Sequence, residues 1–144
     1  MNRKQLQIEV CKAMLGTNCR VSMSELNEHE IAVTITGYDA FVFDKNEIIF
    51  DLSKIRTVEV LKTVLADSDK DEIVKPTGEM FKDNGKIIEK LESENVETYV
   101  DVTFTKKYNG FQLMTDSSTN RILVKDEFGR LVGCFLPVRR VVKK

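Results

Sequence analysis

At 144 residues, with 42% apolar and 31% charged side chains and a net charge of −1, the chain has the make-up of a globular domain able to bury its own core. No apolar run approaches the ~20 residues of a membrane span, residues 1–6 are basic but lack the apolar segment of a secretory signal, and the overall charge demands no polyanionic partner. These features predict a cytoplasmic protein. Three cysteines without paired spacing agree with this: Cys11 and Cys134 read as reduced core filler and Cys19 as part of a connector.

The first element is a helix. Asn2 is placed to cap it, Gln5 stands three residues on as in a capping box, and Gly16 is a natural stop after Leu15. Leu6, Ile8, Val10, Cys11, Ala13, Met14 and Leu15 cover more than half its circumference, leaving Gln5, Glu9 and Lys12 outward. That predicts deep packing, most naturally against a sheet. From Ile31 the period changes to two, giving strands over 31–35, 40–43 and 47–52, joined by tight turns at 37–39 and 44–46. A second helix follows over 57–66, with Val60, Leu61, Val64 and Leu65 as its buried stripe. Residues 67–78 are polar, contain Pro76, and read as an exposed linker between sub-halves 1–66 and 79–144 of a single domain spanning 1–144.

The second half reads as strand almost throughout. Asn84-Gly85 signals a hairpin turn before 86–91, and Val96, Thr98, Val100, Val102 and Phe104 alternate with polar neighbours up to Thr105. Asn109-Gly110 is a second type I′ signal leading into 111–114. After a loop at 116–120, strands over 122–125 and 131–136 form a hairpin closed by Asp126-Glu127-Phe128-Gly129. Pro137 cannot donate to a ladder, so it ends that strand. The fold class is α+β, with two helices packed on about eight short antiparallel strands.

Little in this chain points to catalysis. It holds no phosphate-binding loop, no dinucleotide turn and no paired-cysteine metal spacing. His29 reads as an exposed structural residue, the serines lack a nucleophile context, and Asp39, Asp44 and Asp51 read as turn formers. The sequence therefore predicts no catalytic residue, no metal, no cofactor and no enzymatic activity. Phe41, Phe43 and Phe50 read as core, since basic residues do not interleave with them. Tyr99, Tyr108 and Phe111 beside Lys106 and Lys107 form a better nucleic-acid candidate, extended by Arg121, Arg140, Lys143 and Lys144. Residues 121–144 hold seven Lys or Arg against two acids, a local balance of +5 that reads as a solubilising, mobile end. Asp67, Asp69, Asp71 and Glu72 form an acidic patch relieved only by Lys70.

The run Val132-Gly133-Cys134-Phe135-Leu136-Pro137-Val138-Arg139 resembles the carboxy terminus of bacterial DNA-polymerase sliding clamps (the beta subunit). Residues 30–55 resemble the early clamp strands leading into a second helix, and 86–139 resemble the closing part of a clamp's last domain. The resemblance implies a DNA-clamp-like unit, in which two helices back a curved antiparallel sheet and repeated units ring duplex DNA. It also implies that Leu136, Pro137, Val138 and Arg139 line a groove where short motifs of polymerases and repair proteins dock. A clamp carries a helix after the strand matching 96–104, whereas 106–110 here leave room for a turn at most. A ring would need several copies of so short a chain, which makes a homo-oligomer part of the expectation.

The reading is thus a non-enzymatic module that contacts replication or repair proteins, or binds duplex DNA weakly, with no membrane involvement. Its size suits a factor of a phage or mobile element. The alternative is a small inhibitor or regulatory module that binds a basic surface of a host protein through the acidic patch.

Overall fold

A computed structural model describes residues 2–15 and 20–144. Asn2 caps the first helix as its side chain predicts: its Oδ1 accepts from the Gln5 amide at 3.1 Å, and α1 runs Arg3–Met14. Gly16 and Cys19, read as helix stop and connector, lie outside the described residues. The helix packs on a narrower strip than its composition predicts. Leu6, Gln7 and Val10 are buried, whereas Ile8 and Leu15 are exposed. Polar anchors do the rest. Arg3 pairs with Glu47 and donates to the Val42 carbonyl at 2.9 Å, and Gln7 bridges the Glu47 carbonyl (2.6 Å) and the Ile49 amide (2.8 Å).

The chain divides into two units, Met1–Ala66 and Asp67–Lys144. In the first, β1 (Ser22–Glu25), β2 (Glu30–Thr34) and β3 (Asp39–Asp44) form an antiparallel meander. The two-residue β4 (Arg56–Thr57) lies parallel to β1, giving the order β3-β2-β1-β4. The strand expected over 47–52 does not form. Asp44 and Asp51 instead cap single 3-10 turns at Lys45–Glu47 and Leu52–Lys54, and Glu47 returns to the Asp44 amide to close a capping box. Both aspartates are turn formers, as their positions suggested. Burial in β2 and β3 is two-sided, with Phe41, Phe43 and Phe50 in contact at centroid distances of 6.4 and 6.0 Å. The second helix, α2 (Val60–Val64), is shorter than its apolar stripe suggested and packs on β1 and β2 through Leu61.

The second unit holds β5 (Glu72–Asp83), β6 (Lys86–Glu92), β7 (Val96–Asp101), α3 (Val102–Lys107), β8 (Gln112–Thr115), β9 (Ile122–Lys125), β10 (Leu131–Phe135) and β11 (Arg139–Lys143). Its pairings are antiparallel, in the order β11-β7-β6-β5-β8-β9-β10. The described residues therefore form an antiparallel-dominated α+β structure of eleven strands and three helices, rather than eight and two.

Four local expectations need correction here. The polar stretch read as a linker becomes strand from Glu72 onward. The alternation from Val96 stops at Asp101, whose side chain accepts from the Thr103 amide at 2.9 Å and starts α3 where strand or a turn was expected. Asn109-Gly110 is not a type I′ turn, because only Gly110 has positive φ (89°). The Asn109 amide turns back to the Lys106 carbonyl at the helix end. The basic end is not loose: residues 139–143 pair with β7, and Val141 is 1% exposed. The turn at Asn84-Gly85 does follow its signal, with φ of 51° and 78°. Among the described residues no helix is long and apolar enough to cross a membrane.

Candidate functional site

The strand β10 stops at Phe135, and Pro137 has no amide to extend it. Leu136 and Pro137 are half-buried while Val138 and Arg139 are exposed. The Val138 amide donates to the Tyr99 carbonyl at 2.8 Å, and the Thr98 hydroxyl donates to the Arg139 carbonyl at 2.8 Å, so the chain turns a fixed corner into β11. The Arg139 guanidinium lies 5.5 Å from the Phe81 ring centre and 5.4 Å from that of Tyr99, and these rings meet edge to face. Opposite Tyr99 in register is Lys90, within salt-bridge reach of Glu79, Glu92 and Glu97. The Glu97 carboxylate, helped by the other two, raises the Lys90 ammonium pKa above its ordinary value. The four residues singled out by the Leu-Pro-Val-Arg pattern thus sit together, bordered by two aromatic rings that the sequence did not associate with them.

The basic residues proposed for nucleic acid are not one cluster. Lys106 is exposed on α3 and Lys107 half-buried beside the Tyr108 ring, whereas Arg140, Lys143 and Lys144 belong to the last strand and its end. Lys144 pairs with Glu92 at 2.8 Å. Arg121 leaves this set: it is 3% exposed, with its two terminal nitrogens 2.7 and 3.0 Å from the Asp71 carboxylate. A guanidinium sequestered in a bidentate pair presents nothing to a phosphate. Tyr108 is also interior, stacked on Phe135 at 5.7 Å, so it offers no ring to a base.

The acidic segment is largely engaged by the chain itself. Asp71 is buried against Arg121, Asp67 pairs with Lys125 at 2.8 Å, and Glu72 accepts from Ser93 and Asn95 at 3.1 Å each; Asp69 is exposed. Asp69, Asp71 and Glu72 border a polar groove of about 510 Å³ together with Asp116, a residue sequence reasoning passed over. Burial works to raise the Asp116 pKa, but the Ser118 and Ser68 hydroxyls and the Ser118 and Thr119 amides outweigh it and hold the carboxyl down to about 2. Among the described residues no group of three or more His, Cys, Asp or Glu is placed to hold a metal ion.

A further feature was missed because its parts lie on three elements. Pro76 and Met80 of β5, Ile87 and Glu89 of β6, and Val102 and Lys106 of α3 border a groove of about 480 Å³. Glu89 is 5% exposed and accepts from the Thr105 hydroxyl of α3. The signal was present in Ile87-x-Glu89-x-Leu91, where period-two alternation puts one glutamate on an apolar face. Compared with protein-family models, curated proteins and solved structures, the chain matches none.

Proposed function

We propose that the chain is a non-enzymatic protein-binding module of clamp-like architecture, acting in replication or repair, which suits a phage or mobile element. Its docking point is the corner of Leu136, Pro137, Val138 and Arg139, and duplex DNA is a weak secondary ligand. The observation that carries this reading is the corner itself. An exposed valine stands next to an arginine resting on Phe81 and Tyr99, a mixture of apolar, aromatic and guanidinium surface of the kind that dominates binding energy at interfaces.

Two points support the clamp-like part. A helix leading into a three-strand antiparallel meander occurs in each unit, as α1 with β1-β2-β3 and as α3 with β8-β9-β10. In addition, α3 directly follows β7, where a clamp carries a helix. Lys106, Arg140 and Lys143 leave charge for phosphate contacts without Arg121. The rival reading, an acidic face presented to a host protein, is disfavoured by the engagement of Asp67, Asp71 and Glu72 within the chain.

The test is an affinity pull-down with the intact protein, compared with a Pro137→Asp, Val138→Glu variant whose thermal unfolding is measured alongside. The wild type should recover polymerase, clamp-loader or mismatch-repair subunits, and the variant should lose them with its unfolding temperature unchanged. Unfolding of the variant would make the corner part of the core and end the docking idea. Loss of partners on neutralising Asp69 and Glu72 instead would move the site to the acidic segment.

A further inference from the structure

We propose that the groove over Glu89 receives a single lysine side chain from a partner polypeptide, its methylene stem on Met80, Ile87 and Val102 and its ammonium on the Glu89 carboxylate. This site goes beyond the corner at 136–139, none of whose residues borders the groove.

Charge complementarity identifies the occupant. Glu89 is 5% exposed, yet among the described residues it forms no ion pair. A carboxylate so buried is costly unless a cation or several donors compensate it. One of its oxygens takes the Thr105 hydroxyl; the other takes no donor among the described residues and is open to solvent. The groove is the way in for a donor. Its walls fix the rest of the ligand: Met80 is 60% and Ile87 44% exposed, apolar surface that an aliphatic stem would cover.

The same geometry selects lysine over arginine. A single available oxygen suits a compact ammonium, whereas the guanidinium fork is best satisfied by two acceptors in a plane. Lys106 on the rim limits the partner further, since its charge repels every cation and the Glu89 carboxylate offsets only one. The preferred segment therefore carries one lysine between apolar neighbours, not a basic run. Two of its walls, Pro76 and Met80, flank the register shift in β5, where Gly78 has φ +88°.

The experiment titrates the ¹⁵N-labelled full chain with Ac-Leu-Lys-Leu-NH2, and with the same peptide carrying arginine or norleucine in place of lysine. The lysine peptide should shift the amides of Met80, Ile87, Glu89 and Thr105, bind at least tenfold tighter than the norleucine peptide, and bind tighter than the arginine peptide. Glu89→Gln should weaken it at least tenfold. Ile87→Lys, which places an ammonium on the exposed wall and leaves Glu89 in place, should weaken it to the same degree and keeps the test valid if Glu89→Gln does not fold. Equal affinity for norleucine, affinity unchanged in either variant, a preference for arginine, or shifts confined to Phe81, Tyr99 and Arg139 would each overturn the proposal.

Discussion

The two helix-and-meander runs share an order of elements but are held by different chemistry. In the second unit, α3 has only six residues and is fastened by rings: Phe104 and Tyr108 stack on Phe135 of β10 at 5.0 and 5.7 Å, nearly parallel to it. In the first, α1 is twice as long and is fastened to the 3-10 turn after β3 largely by Arg3 and Gln7. One ion pair from each unit shows the same contrast. Asp71–Arg121 has side chains 5% and 4% exposed, whereas Glu47–Arg3 has 31% and 38%. A short helix cannot sustain itself and must borrow stability from packing. The longer α1 adds polar anchors near its start to the packing of Leu6 and Val10.

The difference is broken most severely at Phe135. Its replacement by alanine removes a fully buried ring and both stacks, and should lower the stability of the second unit by about 4 kcal/mol, the usual scale for a core phenylalanine. Urea denaturation followed by circular dichroism reads the loss. Phe135→Leu separates burial from stacking, and should cost less than half as much because the apolar volume largely remains. If both variants lose equal stability, ring geometry rather than burial holds α3.

Next in size is the buried ion pair. Asp71→Asn leaves the Arg121 guanidinium interior with a weakened partner, an arrangement that typically costs about 3 kcal/mol. A double-mutant cycle with Arg121→Met should give a coupling energy above about 1 kcal/mol. A coupling near zero would mean that Arg121 is held by its other neighbours and that Asp71 is dispensable.

These two examples also mark where sequence reading ends. The Asn84-Gly85 turn, the Asn2 cap and the strand over 122–125 were legible because each is decided by residues adjacent in the chain. β1 was not: Ser22-Met23-Ser24-Glu25 has no strand signature, and becomes a strand only by pairing with β2 and β4. α3 could have been found. Asp101 is a helix cap, Phe104 and Tyr108 are four apart, and Asn109-Gly110 suits a helix end as well as a hairpin. The alternation through Thr105 concealed it, since a strand and a helix both place residues four apart on one face. The candidate site divides in the same way. Residues 136–139 were picked out together because they are consecutive, while their partners Phe81 and Tyr99, the Asp71–Arg121 pair and the Glu89 groove depend on contacts across tens of residues.

The mildest break falls on α1, and it depends on pH. Arg3, through its hydrogen bond to Glu47 and its charge, holds the Glu47 carboxyl below its ordinary value of 4.5 against the opposing effect of burial. A carboxyl whose folded value lies below its unfolded one stabilises the fold fully above the unfolded value, and that contribution is lost as pH falls through the folded value. Replacing Arg3 by alanine should therefore cost about 1 kcal/mol at pH 7, a partly exposed pair being worth no more, and almost nothing once Glu47 is protonated. Asp116 in the second unit loses its own contribution over a lower range, as pH falls towards about 2. The difference between wild type and Arg3→Ala thus isolates Glu47 as pH falls below 4.5. Amide exchange at Leu6 and Val10 is the readout, because both lie on the buried strip of α1. A cost that stays constant from pH 7 to pH 3 would assign the anchoring to the bond from Arg3 to the Val42 carbonyl, and would make α1 insensitive to the charge of Glu47.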